Sequence, residues 1–193
     1  AAQRRGRRFG RRGGRVELHP VAHHRTQKVV GAGGQLDGDA FGTRRLRRGG
    51  IEVSAFNRSA EVTDSLVAEA GVAASYSLEQ LVAALPVPRV VWLMLPAGDI
   101  TQQTIDQLLP MLSPGDVLVD GANSFYKDSM RRASTVEAVG VHYVDAGVSG
   151  GIWGLDNGYA LMVGGSRQAI AQLEPAIRVL APGPTSGWLH CGP

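Results

Sequence analysis

The residues best suited to ligand chemistry lie in a glycine-rich stretch, residues 145–165, which reads DAGVSGGIWGLDNGYALMVGG. Glycine this dense after a strand lets backbone N–H groups approach a ligand closely, because no Cβ stands in the way. Ser149 adds a hydroxyl that can hydrogen-bond a carboxylate or another hydroxyl, and Gly150 and Gly151 follow it. We therefore predict that Ser149, Gly150 and Gly151 bind a substrate. The alternative is a glycine-rich turn between two strands.

A second candidate site, Asn57, Arg58 and Ser59, follows the alternating segment IEVSAF. Enzymes that bind NAD place an acidic residue at the equivalent strand end, where it holds the ribose 2′-hydroxyl. A carboxylate would repel the 2′-phosphate of NADP, whereas a guanidinium can donate two hydrogen bonds to it. The triplet therefore favours NADP over NAD, and the alternative is an ordinary turn.

Two further candidate sites also follow predicted strands. Leu95, Pro96 and Ala97 end the apolar run RVVWLML, and Asn123 lies in the segment DGANS. The Asn123 amide offers both a donor and an acceptor to a ligand. The alternatives are a Pro-Ala-Gly turn for the first segment and an Asx turn at Asn123.

Apolar periodicity predicts the elements that must position these residues. The predicted strands are 51–56, 89–95, 117–120, 141–144 and 159–163. The predicted helices are 60–70, 77–85, 99–112, 129–139 and 167–180, the last of them broken near Pro175, with a helix end at 44–50. Alternating strands and helices with short links predict an α/β fold, with a mostly parallel sheet and helices on both faces. In such a sheet, ligands bind beyond the carboxyl ends of the strands.

These motifs together resemble the 6-phosphogluconate dehydrogenases of the β-hydroxyacid dehydrogenase superfamily. The form GVSGG-IWGL-x-NGY-x-LMVGG is similar to that of the shorter bacterial type, and the Asn-Arg-Ser step is similar to the family's NADP-selecting feature. The resemblance implies a Rossmann-like, doubly wound fold and oxidative decarboxylation of 6-phospho-D-gluconate to ribulose 5-phosphate, a step of the pentose phosphate pathway, with NADP as cofactor.

The resemblance also implies roles for the candidate residues. The loop of Leu95, Pro96 and Ala97 would run under the nicotinamide and its ribose, and Asn123 would lie beside both nicotinamide and substrate. The Ser149 loop would hold the carboxylate and hydroxyl of the sugar acid. The family is homo-oligomeric.

This sequence departs from the family pattern in two places. Gly31–Gly34 follow a faint strand, Lys28–Val30, but Leu36 stands where the third glycine of G-x-G-x-x-G belongs. We therefore expect a degenerate first βα unit, an exposed sheet centre and weak cofactor binding. The lysine base and the acid of the family would lie beyond Pro193, so no catalytic residue is assigned. An absent C-terminal helical domain and no measurable turnover are expected.

Charge divides the chain sharply. Residues 1–50 contain 13 basic and 3 acidic side chains, whereas residues 51–193 contain 7 basic and 14 acidic ones. We predict an Arg/Gly-rich leader over 1–43, disordered or not native coding sequence, and a truncated NADP-binding domain over 44–193. A nucleic-acid-binding tail and a targeting peptide are the alternatives for the leader.

The remaining composition favours a cytoplasmic protein with a small-molecule partner and neither metal nor membrane. One cysteine, Cys191, excludes an internal disulfide framework, and His23 and His24 have no acidic or cysteine partner at metal-ligand spacing. Two alternative functions stay open. One is a non-catalytic remnant or NADP-binding module. The other is a different β-hydroxyacid dehydrogenase, such as 3-hydroxyisobutyrate dehydrogenase.

Overall fold

An eight-stranded sheet runs through the part of the chain that the computed structural model describes, which is the backbone of residues 28–33 and all of residues 42–193. The strands are β1 (Lys28–Gly33), β2 (Glu52–Asn57), β3 (Ala73–Ser75), β4 (Val90–Met94), β5 (Val117–Asp120), β6 (His142–Ser149), β7 (Ala160–Gly165) and β8 (Trp188–Gly192). The helices are α1 (Thr43–Arg48), α2 (Ala60–Ala70), α3 (Leu78–Ala83), α4 (Asp99–Leu108), α5 (Tyr126–Glu137), α6 (Gly154–Asn157) and α7 (Arg167–Leu180). Short 3-10 turns span Leu109–Met111 and Gly151–Trp153.

The strand order is β3-β2-β1-β4-β5-β6-β7-β8, and every neighbouring pair is parallel except β6 with β7. The order reverses direction between β1 and β4, which is where dinucleotide-binding sheets open a crevice for their ligand. The predicted Rossmann-like, mostly parallel α/β fold is confirmed.

The expectation of an exposed sheet centre is wrong. Strand β1 lies mid-sheet and pairs in parallel with β2 on one side and β4 on the other. A parallel ladder uses backbone groups that every residue carries, so the missing glycine pattern does not prevent the pairing. Residues 1–27 and 34–41 of the predicted leader lie outside the described residues, and the glycine loop beyond Gly33 is among them. The division of the chain after residue 43 stays a prediction there.

Two apolar layers cover the two faces of the sheet. One layer packs α1, α2 and α7 against alternate residues of the strands, and the other packs α3, α4 and α5 against the remaining ones. The central strands β4 and β5 are buried on both faces, as their continuous apolar sequences predict. Buried strands with helices on both sides leave the strand ends as the accessible edge of the sheet.

Three predicted boundaries need correction. Helix α5 begins at Tyr126 and not at Ser129, and β6 continues to Ser149. The predicted break near Pro175 is absent, because α7 is continuous through it. Pro175 is exposed, while the opposite side of the same helix is buried against the sheet, so packing holds the helix together across the proline.

Candidate functional site

The predicted site residues gather at one edge of the sheet. They follow or end β2, β4, β5 and β6, which run parallel to one another through β1, so their carboxyl ends face the same way. The ends are also level. Gly33 is in register with both Asn57 and Met94, and Asp120 is in register with Asp145. The structure therefore brings the four candidate loops to a common edge.

The loop after β2 forms a turn that leaves one cation exposed. The Asn57 side-chain oxygen accepts from the Ser59 N–H at 2.9 Å, and the Asn57 N–H donates to the Thr63 hydroxyl at 3.1 Å. Arg58 points to solvent, and no acidic partner is found for it among the described residues. The turn and the ligand role are compatible, because the turn uses Asn57 and leaves the guanidinium available.

Ser59 is the N-cap residue of α2 and contacts an acid of the helix's first turn. Its hydroxyl donates to Glu61 at 2.5 Å, and this hydrogen bond holds the pKa of the Glu61 carboxyl below its usual range. Ser59 makes no side-chain cap on the helix. An anion near Arg58 would thus meet Glu61 as an unfavourable neighbour and the helix N-terminus as a favourable one.

A threonine hydrogen bond fixes the loop after β4. The buried Thr101 hydroxyl donates to the Pro96 carbonyl at 2.9 Å, which fastens the loop to the first turn of α4. Leu95 is half-buried, whereas Pro96 and Ala97 are exposed. The loop can therefore offer a fixed apolar surface to a ring stacked on it.

Asn123, after β5, bridges to the next strand. Its side-chain oxygen accepts from the Val148 N–H at 3.0 Å, and its side-chain nitrogen lies 3.4 Å from the Val148 carbonyl. The backbone of Asn123 is in the left-handed region, with φ 53°, which asparagine tolerates better than most residues. The Asx turn of this segment forms instead at Asp120, whose carboxylate accepts from the Ala122 N–H at 3.0 Å.

The loop after β6 leaves Ser149 and Gly151 accessible. Both are exposed, and a Cβ at Gly151 would meet nothing within 4 Å. Gly150 and Gly154 serve packing instead, because a Cβ at either position would lie under 3 Å from the ring of the buried Tyr159. The glycines of this stretch therefore divide into Gly151, which has open space beside it, and Gly150 and Gly154, which make room for a tyrosine.

A buried polar cluster supports these loops from below, and sequence reasoning missed it. The Asp120 carboxylate accepts from Arg132 at 2.8 Å, Tyr143 at 2.8 Å and Ser124 at 2.9 Å. Asp120 and Arg132 are both fully buried. The available signal was helical spacing, since Arg132 stands between Ser129 and Val136 on the face of α5 that packs against the sheet.

Burial and like charge act on the acidic groups around this cluster. Burial raises the pKa of the Tyr143 hydroxyl, and the neighbouring Asp120 carboxylate raises it further. Burial also raises the pKa of Asp145, with Asp120 raising it and Arg132 lowering it. Tyr143 is therefore a neutral hydrogen-bond donor, and Asp145 is a carboxylate that folding makes harder to ionise.

Metal ligation and membrane insertion have no structural support in the part of the chain that is described. There, no three side chains of the His, Cys, Asp or Glu type are grouped to hold a metal ion. None of the helices in residues 42–193 is long and apolar enough to cross a membrane.

The packing role of Gly154 can be tested by Gly154→Ala. A methyl group there would lie 2.0 Å from the Tyr159 ring, so we expect the free energy of unfolding to fall by about 1–3 kcal/mol. Denaturant titration measures this change. Gly164→Ala is the matched control, because its nearest contact would be an ordinary 3.8 Å. Equal effects of the two substitutions would contradict the packing role.

The burial of Asp145 can be tested by Asp145→Asn as a function of pH. A carboxyl with a raised pKa in the folded state binds protons more tightly than in the unfolded chain, so its contribution to stability declines as pH rises from about 4 through the folded-state pKa. The substitution removes this penalty. We expect the variant to be more stable than the parent at pH 7, and the difference to shrink as pH approaches 4. A difference that is independent of pH would contradict the assignment.

Known proteins with similar sequences indicate the family of this chain. A sequence model for the NAD binding domain of 6-phosphogluconate dehydrogenase matches residues 38–189. The decarboxylating 6-phosphogluconate dehydrogenase of Synechococcus elongatus is 39% identical over 140 residues, which are 70% of this chain and 30% of that protein. The chain thus spans about a third of the length of such relatives.

Two solved structures have similar folds. Plasmodium falciparum 6-phosphogluconate dehydrogenase, solved in its apo form and in complex with NADP+ and with 6-phosphogluconate, superposes with a TM-score of 0.75 at 26% identity, over 85% of this chain and 37% of that one. Mycobacterium tuberculosis 3-hydroxyisobutyrate dehydrogenase, solved with L-serine, gives a TM-score of 0.74 at 25% identity, over 86% and 55%. The family match covers well over half of the chain, and this chain therefore belongs to the family of 6-phosphogluconate dehydrogenase NAD-binding domains.

Proposed function

We propose that this chain binds NADP and one side of 6-phospho-D-gluconate, as the cofactor domain of an enzyme that oxidatively decarboxylates this sugar acid. The observation that carries the proposal is the common edge, where an exposed arginine, an asparagine and an exposed serine follow or end parallel strands of one sheet. Family membership as an NAD-binding domain supports the cofactor, and the 39% identical Synechococcus relative supports the reaction.

NADP is preferred to NAD in this proposal because of Arg58. The position after β2 carries no carboxylate to hold a ribose 2′-hydroxyl, and the Arg58 guanidinium is free to pair with a 2′-phosphate. The Plasmodium enzyme, solved in complex with its cofactor NADP+, gives independent support. When bound, the cofactor would supply hydride acceptance, and the residues described here would bind and orient the two reactants.

The sugar acid would meet the loop after β6. Ser149 is exposed at the end of the strand, and Gly151 leaves open space beside it for a carboxylate or hydroxyl. The Pro96–Ala97 surface lies two strands away at the same edge, where the nicotinamide ring would rest. This arrangement would place the reactive ring of the cofactor between the two loops.

The competing function is that of a 3-hydroxyisobutyrate dehydrogenase, because the structure of such an enzyme superposes on this chain almost as well as that of 6-phosphogluconate dehydrogenase. Fold similarity therefore does not discriminate between the two substrates. Titration of the chain with 6-phosphogluconate and, separately, with 3-hydroxyisobutyrate discriminates between them. We expect binding of the phosphorylated acid and none of the smaller one at the same concentration, and the reverse result would overturn the proposal.

Cofactor selectivity is tested by Arg58→Ala. Loss of a charged hydrogen bond to the 2′-phosphate should raise the Kd for NADP+ by about tenfold and leave the Kd for NAD+ unchanged. Isothermal titration calorimetry with each nucleotide measures both values. The matched control is Arg167→Ala, an exposed arginine that follows the antiparallel strand β7 and so lies at the opposite edge of the sheet. A parent protein that binds NAD+ as tightly as NADP+ would contradict the assignment.

Substrate contact is tested by Ser149→Ala. Removing one hydroxyl that hydrogen-bonds a carboxylate should weaken 6-phosphogluconate binding by about fivefold to tenfold, with the Kd for NADP+ unaffected. Ser134→Ala, an exposed serine in the last turn of α5 and so near the opposite edge of the sheet, is the control for a serine outside the site. An unchanged Kd for the sugar acid in Ser149→Ala would remove Ser149 from the proposed substrate surface.

A further inference from the structure

One guanidinium contacts both loops that are predicted to hold the cofactor. Arg132 Nη1 donates to the Asp120 carboxylate at 2.8 Å and to the Ser124 hydroxyl at 2.7 Å, in the loop after β5. Its Nη2 donates to the Gly98 carbonyl at 3.0 Å, directly after the Pro96–Ala97 surface. A single rigid, planar group therefore connects the loops that follow two neighbouring strands.

Asn123 extends this connection to the third loop. The β5–β6 ladder ends at the pair Asp120 and Asp145, so the backbone of β6 beyond that point has no strand partner on the β5 side. There the Asn123 side-chain amide makes the contacts that a neighbouring strand would otherwise make. Its oxygen accepts from the Val148 N–H, and its nitrogen faces the Val148 carbonyl. Val148 immediately precedes Ser149, so the orientation of the predicted substrate loop depends on this bridge.

The loop that carries Asn123 is fixed at both of its ends. Asp120 closes an Asx turn on Ala122, and the Ser124 hydroxyl both donates to Asp120 and accepts from Arg132. Gly121 allows the loop to cross β4 closely, because a Cβ there would lie 2.9 Å from the Leu93 carbonyl. Asn123 is thus an exposed residue on a turn whose flanking residues are buried or hydrogen-bonded to the Arg132 cluster.

We propose that Arg132 is a positioning residue which, through Asp120, Ser124 and the Asn123 bridge to Val148, aligns the cofactor loops with the substrate loop. Arg132 itself is fully buried and does not touch a ligand. Its expected effect on ligand binding rests on the proposed function. Its hydrogen bonds to the loops, however, are present without any ligand. Both parts can therefore be tested separately.

The connection is tested by amide hydrogen exchange, measured by NMR on the full 193-residue chain. Asn123→Gly removes the bridge and tolerates the left-handed backbone, so we expect Val148 to exchange at least about tenfold faster while Val144, in the same strand, is unchanged. Asn123→Asp retains the acceptor for the Val148 N–H, and we expect it to restore most of the protection. Unchanged exchange at Val148 in Asn123→Gly would overturn the proposal.

Arg132→Met then tests whether the arginine controls the bridge. We expect the same faster exchange at Val148, together with weaker binding of both NADP+ and 6-phosphogluconate. Arg131→Met is the matched control, because Arg131 shares the Gln102 acceptor with Arg132 and reaches neither Asp120 nor Gly98 in the contacts of α5. Equal effects of the two substitutions would overturn the proposal.

Arg132→Lys covers the case in which Arg132→Met does not fold. The ammonium keeps a charge opposite Asp120 but lacks the fork that also reaches Gly98, so we expect a folded protein with a smaller acceleration at Val148. Exchange identical to the parent would overturn the proposal. If the parent bound neither ligand, the proposed function would fail, while the exchange rates would still decide the positioning role.

Discussion

The buried pair of Asp120 and Arg132 connects the loops after β4 and β5, and it is the interaction on which this edge of the sheet depends. Both side chains are withdrawn from water, so their attraction must offset a desolvation cost of several kcal/mol for each ion. Tyr143 and Ser124 supply the additional hydrogen bonds that such a pair requires. A well-packed apolar pair would give similar stability without this desolvation cost. The charged pair therefore contributes chiefly a defined geometry, which it imposes on the backbone at Gly98 and on the turn after β5.

The position of the candidate loops could be predicted from the sequence because parallel sheets have a simple rule. Each strand ends where its apolar run stops, and parallel strands end at the same edge. Locating Asn57, Asn123 and Ser149 at strand ends was therefore enough to bring them together. What each side chain contacts could not be predicted. The partner of Asn123 is Val148, 25 residues away, and no local pattern encodes a contact between two strand ends.

The incorrect expectations share a physical origin, since local signals were given more weight than the rest of the fold. A proline in a helical segment predicts a break, but in α7 the apolar face continues on both sides of Pro175 and packs on the sheet. A missing glycine signature predicted a degenerate first βα unit and an exposed sheet centre, but β1 has a strand on each side to pair with. The edge strands β3 and β8 also went unpredicted, because short or exposed strands carry little apolar alternation.

The glycine-rich stretch that first indicated a ligand site combines two different requirements. Gly150 and Gly154 admit the Tyr159 ring, which is buried in the same core as β7 and α7. Beside Gly151 the space is open, since a Cβ there would meet no atom within 4 Å. Since Tyr159 fixes the far side of this loop and the Asn123 bridge fixes its near side, Ser149 is presented from a segment held at both ends. A loop so constrained has little conformational entropy to lose, which is the condition under which few contacts suffice to bind a small molecule.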